Sequence, residues 1–169
     1  MSAARSEERR LYLLRHAKSS WSDPGLADHD RPLAPRGRRA AILIGEHLRS
    51  AQIAPQLVLC SSACRAVETL EYLRLAGKVE VEPELYGASP DELLDRLRVL
   101  PDELGAVMLI GHNPSIQELA AGLAAGDSGL SERRYPTGAL AVLTFAGPWS
   151  SLRPQRANLV EFVRPRDLT

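Results

Sequence analysis

Arg15-His16, Arg65 and His112, with Glu84 lying between the last two in the chain, are the residues of this sequence whose types suggest a reaction. A phosphate monoester is close to a dianion at neutral pH. The planar fork of arginine pairs with its oxygens two at a time, so Arg15 and Arg65 suit holding a phosphoryl group in one orientation. Histidine is the side chain whose unperturbed pKa leaves a neutral, nucleophilic nitrogen near pH 7. One such ring can attack phosphorus. The other can donate a hydrogen bond to the equatorial oxygens and, when protonated, offset the charge that spreads over them in a loose transition state. Each residue taken alone is ordinary: Arg15-His16 as a solvated strand end, Arg65 as a surface residue beside Glu68, Glu71 and Arg74, Glu84 as a loop acid. Their positions relative to strands join them.

Leu11 to Leu14 is a continuous apolar run of the kind a strand buried on both faces shows, and it runs straight into Arg15-His16. Ser19 to Pro35 is punctuated by Pro and Gly and reads as a loop, with Trp21 and Arg31 in it as candidate substrate contacts. Apolar residues at helical spacing predict a first helix over 36–51, and Gln56 to Cys60 a second strand. A helical passage follows from Ser61 to Ala76. Lys78 to Glu82 alternates as a third strand. Ser89-Pro90-Asp91-Glu92 has the N-cap, proline and acids of a helix start. Ala106 to Ile110 is uniformly apolar and so central. Asn113 then serves as an N-cap, with Pro114 opening a helix through Ala125. Leu140 to Phe145 and Leu159 to Val163 are joined by too short a segment for a crossover helix, so they form an antiparallel pair at one side. The alternation predicts a three-layer α/β/α sandwich with a mostly parallel central sheet and an antiparallel edge. In such a sheet ligands bind at the carboxyl ends of the strands, where Arg15, His16, Ser61, Arg65, Glu84, Gly111 and His112 would gather. Ser61 and Asn113 are caps first and phosphate neighbours second.

At 169 residues the chain suits one domain spanning 1–169, with the polar residues 1–8 as a flexible terminus. The formal net charge is zero, which argues against a general affinity for polyanions; a phosphate has to be met by a local cluster, and no nucleic-acid partner is expected. No apolar segment resembles a signal peptide or a membrane span, so the expectation is a cytoplasmic protein without a membrane partner. Cys60 and Cys64 are too few for a disulfide framework and are read as packed thiols. His29 and His47 are read as surface residues. The basic run Arg31, Arg36, Arg38 and Arg39 is read as a solvated helix start that could also draw an acidic partner.

Leu14-Arg15-His16-Ala17 resembles the signature of the histidine phosphatase superfamily, in which the histidine becomes phosphorylated. Ser61-Ser62-Ala63-Cys64-Arg65-Ala66-Val67-Glu68-Thr69 is similar to its second motif, Ser-x-x-x-Arg-Ala-x-x-Thr, whose arginine binds phosphate. Gly111-His112-Asn113-Pro114 is similar to its third, which supplies the second histidine. Asp30-Arg31-Pro32-Leu33 with Gly37, and Tyr135-Pro136-Thr137-Gly138-Ala139, resemble features of its small SixA-like branch. The resemblance implies the phosphoglycerate mutase-like fold and a phosphatase working through a phosphohistidine intermediate. His16 is then the nucleophile, Arg15, Arg65 and His112 hold the phosphoryl oxygens, and no metal or organic cofactor is needed.

Two departures from that pattern stand out. Ala17 occupies the usual glycine position, adding only a methyl. The general acid has a candidate by position alone, Glu84, in surroundings unlike those of the ester-cleaving members. Expelling an alkoxide needs a proton delivered to the leaving oxygen, whereas imidazole leaves far more readily. A weak or missing acid therefore favours protein phosphohistidine as substrate. A small-molecule or phosphoserine/threonine ester is the alternative, and a non-catalytic phosphate-binding module ranks lower. A thiol phosphatase is disfavoured, since that class spaces its cysteine and arginine one residue wider than the four between Cys60 and Arg65. A metal hydrolase is disfavoured by the scarcity of carboxylates. The phosphorylated partner, a protein or a small compound, and the oligomeric state are left open.

Overall fold

A computed structural model describes residues 8–169. Of the expected terminus 1–8, residues 1–7 lie outside the described range. Glu8 is already the first residue of strand β1 (Glu8–Arg15), pairing with Ala146. The strand begins earlier than its apolar run because Arg9 is buried with its guanidinium donating to the carbonyls of Gly147 and Asp102. Hydrogen bonding there makes up for the charge.

Among the described residues six strands form one sheet in the order β3-β2-β4-β1-β5-β6. Strands β2 (Leu57–Ser61), β3 (Lys78–Glu82) and β4 (Ala106–Gly111) run parallel with β1, while β5 (Leu140–Ala146) is antiparallel to both β1 and β6 (Asn158–Val163). β1 and β4 pair residue for residue, from Arg10 opposite Ala106 to Arg15 opposite Gly111.

The alternation of side chains along the strands builds the two cores. Leu11, Leu13, Leu59, Val107 and Leu109 pack under helices α3 (Pro90–Arg98) and α4 (Ser115–Leu123). Tyr12, Leu14, Val58, Cys60, Met108 and Ile110 pack on the other face, under α1 (Pro35–Ser50) and α2 (Cys64–Leu73). The result is the α/β/α sandwich the alternation of elements predicts. α3 starts with a capping box, the Ser89 side chain and Glu92 each taking the other's backbone N–H. α1 approaches the exit of β1 so closely that a Cβ on Gly37 would overlap the Lys18 carbonyl.

Two boundaries differ from expectation. α4 begins one residue late, with Pro114 at the N-cap after a cis Asn113–Pro114 bond and the Asn113 side chain accepting from Gln117 N–H. It also ends at Leu123, because Ala124 and Ala125 pair instead with Ala157. Among the described residues no helix is long and apolar enough to cross a membrane.

Candidate active site

The carboxyl ends of β1, β2 and β4 meet at one point of the sheet edge. The β1–β4 register continues past the last pair, with His16 N–H donating to the Gly111 carbonyl at 3.0 Å. The next residue on each strand is a histidine, and the His16 and His112 rings stand 5.0 Å apart. β2 ends at Ser61, and α2 brings Arg65 in on its first turn, its Nε 3.4 Å from His16 Nε2. Arg15 comes alongside, with its Nη1 donating to the Tyr135 carbonyl at 2.9 Å and its buried Nε unpartnered.

His16 is held in a defined state. It is 7% exposed, and its Nδ1 lies 2.7 Å from the Ala17 carbonyl oxygen, which can only accept. The ring proton is therefore on Nδ1, and Nε2 carries the lone pair. Ala17 is itself tied down, its N–H donating to Thr69 Oγ1 at 3.0 Å while the Thr69 hydroxyl donates to the Arg65 carbonyl at 2.7 Å. A hydroxyl on α2 thus links the arginine turn to the residue whose carbonyl orients the histidine.

His112 Nε2 lies 2.8 Å from Ser61 Oγ, and its buried Nδ1 has no partner. Ser61 Oγ also accepts from Ala63 N–H. Burial depresses both imidazoles. His16 falls to about 3, through desolvation first and then the positive charges around it, and His112 to about 4 through desolvation and Arg65. Both rings are neutral at pH 7.

The carboxylate at this site is Asp28, which the sequence did not single out. Its backbone and side chain take Arg65 Nη1 at 2.7 Å and Nη2 at 3.0 Å, and the Tyr86 hydroxyl donates to the same Oδ2. The Tyr86 hydrogen bond and the Arg65 guanidinium hold Asp28 below the ordinary aspartate value. The Tyr86 ring meets His112 edge-on at 5.6 Å and His29 at 4.8 Å. The signals available were faint: an acid three residues before Arg31, and an aromatic two residues after Glu84.

Glu84 is not brought to the site. It is exposed and shares its surroundings with Glu82, Glu92, Asp95 and Arg96. The reason is local: Glu84 lies in the short turn Pro83–Leu85 on the side of α3, whereas Tyr86, two residues on, is the residue of this segment that turns into the crevice.

Ser61 and Asn113 flank the crevice with their polar atoms engaged. Ser61 serves His112 and Ala63, and the Asn113 amide holds the Tyr135 carbonyl and Gln117. They support the frame. Arg31 is buried rather than solvated, its Nη2 donating to Ser19 Oγ at 2.8 Å and its Nε 3.4 Å from Asp28 Oδ1, so it backs Asp28 from behind. Trp21, 70% exposed, lies flat on Arg31 with the guanidinium carbon 3.4 Å from the ring centre. Of the two histidines read as surface residues, His29 bonds to Ser62 Oγ beside the crevice, and His47 ties α1 to Glu161 of β6 at 2.9 Å.

Cys60 is fully buried and its thiol pushed up to about 12, the wrong direction for a nucleophile. Among the described residues no group of three or more His, Cys, Asp or Glu side chains could hold a metal ion.

Comparison with known proteins agrees with this arrangement. The family model described as "Histidine phosphatase superfamily (branch 1)" matches residues 11–90, a span containing Arg15, His16 and Arg65. An uncharacterized Mycobacterium tuberculosis protein, Rv1276c, is 40% identical over 159 residues, covering 90% of this chain and all of the relative. A solved structure from Nakamurella multipartitia, assigned as a phosphohistidine phosphatase SixA, superposes with a TM-score of 0.87 at 32% identity, covering 95% of this chain and 98% of the other. The protein histidine phosphatase SixA complexed with tungstate superposes with a TM-score of 0.80 at 25% identity, covering 95% and 99%. The chain belongs to the histidine phosphatase superfamily, in its SixA-like branch.

Proposed function

We propose that this phosphatase hydrolyses phosphohistidine on a protein, through a phosphorylated His16. The observation that carries the reading is the state of that ring: Nδ1–H held on the Ala17 carbonyl, Nε2 unprotonated and facing the Arg65 Nε–H at 3.4 Å, and Arg15 and His112 beside it. His16 Nε2 attacks phosphorus, the bond from phosphorus to the substrate ring breaks, and the electron pair leaves with that ring. A substrate imidazole protonated on its far nitrogen departs neutral. The phosphorylated His16 keeps its own Nδ1–H, so it too is a good leaving group when water attacks. Arg15 and Arg65 hold the equatorial oxygens. With the Ser61 proton directed to His112 Nε2, the His112 proton sits on Nδ1, the buried atom without a partner, which then donates to the phosphoryl group.

The choice of phosphohistidine over an ester is supported by the acids present. Glu84 is away from the crevice, and Asp28 is held ionised, so neither is poised to protonate an alkoxide at neutral pH. The similarity to SixA phosphohistidine phosphatases supports the same choice.

The test is to react the protein with a labelled phosphoramidate and examine the trapped species. The label is expected to survive alkali, to be lost in acid, and to be absent from His16→Ala. A phosphohistidine peptide is expected to turn over much faster than a phosphoserine peptide. An alkali-labile label, or faster ester cleavage, would sink the assignment.

A further inference from the structure

Between the exit of β1, the first turns of α1 and the C-terminal turn Pro165–Leu168 lies a groove of about 550 Å³. Its floor is apolar, formed by Ala40, Leu43, Pro136 and Pro165, and its rim is cationic: Lys18, Arg36, Arg39, Arg164 and Arg166. Of these only Arg164 has an ion-pair partner among the described residues, Asp167 at 3.0 Å. A neighbouring hollow continues the positive rim through Arg133 and Arg134. In a chain whose formal net charge is zero, this is a strong local segregation of charge.

The groove adjoins the phosphoryl site. Lys18 lies two residues beyond His16. Pro136 and Thr137 sit between Tyr135, whose carbonyl takes Arg15, and Gly138, whose N–H donates to the carbonyls of Arg15 and His16 at 3.0 Å. A macromolecule presenting a phosphoryl group to His16 has its own surface close to this groove.

We infer that the groove docks the protein carrying the phosphohistidine, by a patch in which an apolar side chain stands among carboxylates. The inference rests on the phosphoprotein reading above and goes beyond it by assigning the surface and chemistry of recognition. The floor decides between classes of polyanion. A sugar-phosphate backbone gains nothing from Leu43 and two prolines, and the aromatic ring of the neighbouring hollow, Phe162, is already engaged by Tyr135 at 5.1 Å and by the Arg133 guanidinium at 5.8 Å, which leaves no free face for a base to stack on. An amphipathic acidic segment uses both features at once. Unpaired rim cations act mainly on the rate of encounter, and salt screens them.

The test compares wild type with Arg36→Glu/Arg39→Glu. Both arginines are exposed, make no side-chain hydrogen bond among the described residues, and lie at the start of α1, where acidic residues suit the helix dipole, so folding is spared. The probes are two helical peptides, each with one phosphohistidine and one leucine, flanked by glutamates in one and glutamines in the other, together with phosphoimidazole. Wild type is expected to favour the glutamate peptide by about tenfold in kcat/KM, an advantage that high salt and the double variant both abolish. Phosphoimidazole turnover is expected to stay within about twofold.

Equal rates on the two peptides in wild type, or an undiminished preference in the variant, would overturn the inference. So would competition by a short RNA that the variant abolishes without the peptide preference changing, since the groove would then serve nucleic acid. Failure of wild type to hydrolyse phosphoimidazole at all refutes the phosphoramidate reading itself, and the docking inference with it, a result distinct from failure of the groove alone.

Discussion

Replacing Thr69 with valine isolates the link between α2 and the nucleophile. The shapes are nearly equal, so the change removes a hydroxyl and little else. The Arg65 carbonyl loses the Thr69 hydroxyl but keeps its own helical hydrogen bond, whereas Ala17 N–H, fully buried, loses its acceptor. An orphaned buried N–H costs about 1–3 kcal/mol. For a chain of this length each kcal/mol lowers Tm by roughly 2–4 °C, so a fall of about 4–8 °C is expected for a mid-range cost. The larger effect is on chemistry. Ala17 is the residue whose carbonyl orients His16, and a misplacement of about 1 Å in a reacting group costs on the order of a hundredfold. Turnover of a phosphohistidine peptide should fall about 10- to 100-fold, while inhibition by inorganic phosphate, which reads Arg15 and Arg65, changes by less than about threefold. Imidazole nitrogen shifts should report a mixed His16 tautomer, and Thr69→Ser should recover most of the activity. The reasoning is refuted if Thr69→Val turns over at the wild-type rate, or if phosphate affinity falls in step with kcat.

Four further outcomes can be checked. Gly37→Ala should cost about 2–3 kcal/mol in a urea melt and depress turnover as well, because the new methyl presses on the Lys18 carbonyl, next to the exit of the histidine strand. His16 and His112 have pKa values of about 3 and about 4 in the native protein, against about 6.5 unfolded, so between those limits the unfolded chain binds more protons and stability rises with pH. Stability should therefore drop on acidification from pH 6.5 toward 4, less steeply in His112→Asn. An NMR titration midpoint near 6.5 for either ring would contradict the burial argument. Glu84→Gln should leave turnover of both peptide classes within about twofold, because the residue emerges beyond the crevice. Cys60→Ser should remain active after a loss of about 1 kcal/mol or more, since the thiol is buried packing and not a nucleophile.

The central sheet was legible because Leu11–Leu14 and Ala106–Ile110 are apolar without interruption, a pattern that strands covered on both faces require. The convergence of Arg15, His16, Arg65 and His112 was legible for the same reason, each following a strand whose place in the sheet could be anticipated. Glu84 misled because following a strand is not enough: the turn after β3 carries Glu84 toward α3 and sends Tyr86 into the crevice instead. Arg9 was hidden because its burial depends on two carbonyls more than ninety residues away. Asp28 was hidden in a loop with no periodicity, its partner Arg65 being 37 residues further on. Contacts made by loops across the sheet edge leave no repeat in the chain, and only the folded molecule displays them.

The unbroken parallel pairing of β1 with β4 makes the two strands a ruler for the imidazoles. Neither histidine position tolerates a change in strand length: one residue added or removed within Ala106–Gly111 would swing His112 to the opposite face of the pleat and out of partnership with His16. The connecting segments do not set that spacing, although those that carry Asp28, Tyr86 and Tyr135 are tied to the site by their own hydrogen bonds. Residues added to or removed from the remaining loops would change the width of the mouth and leave the distance between the two reacting rings to the strands.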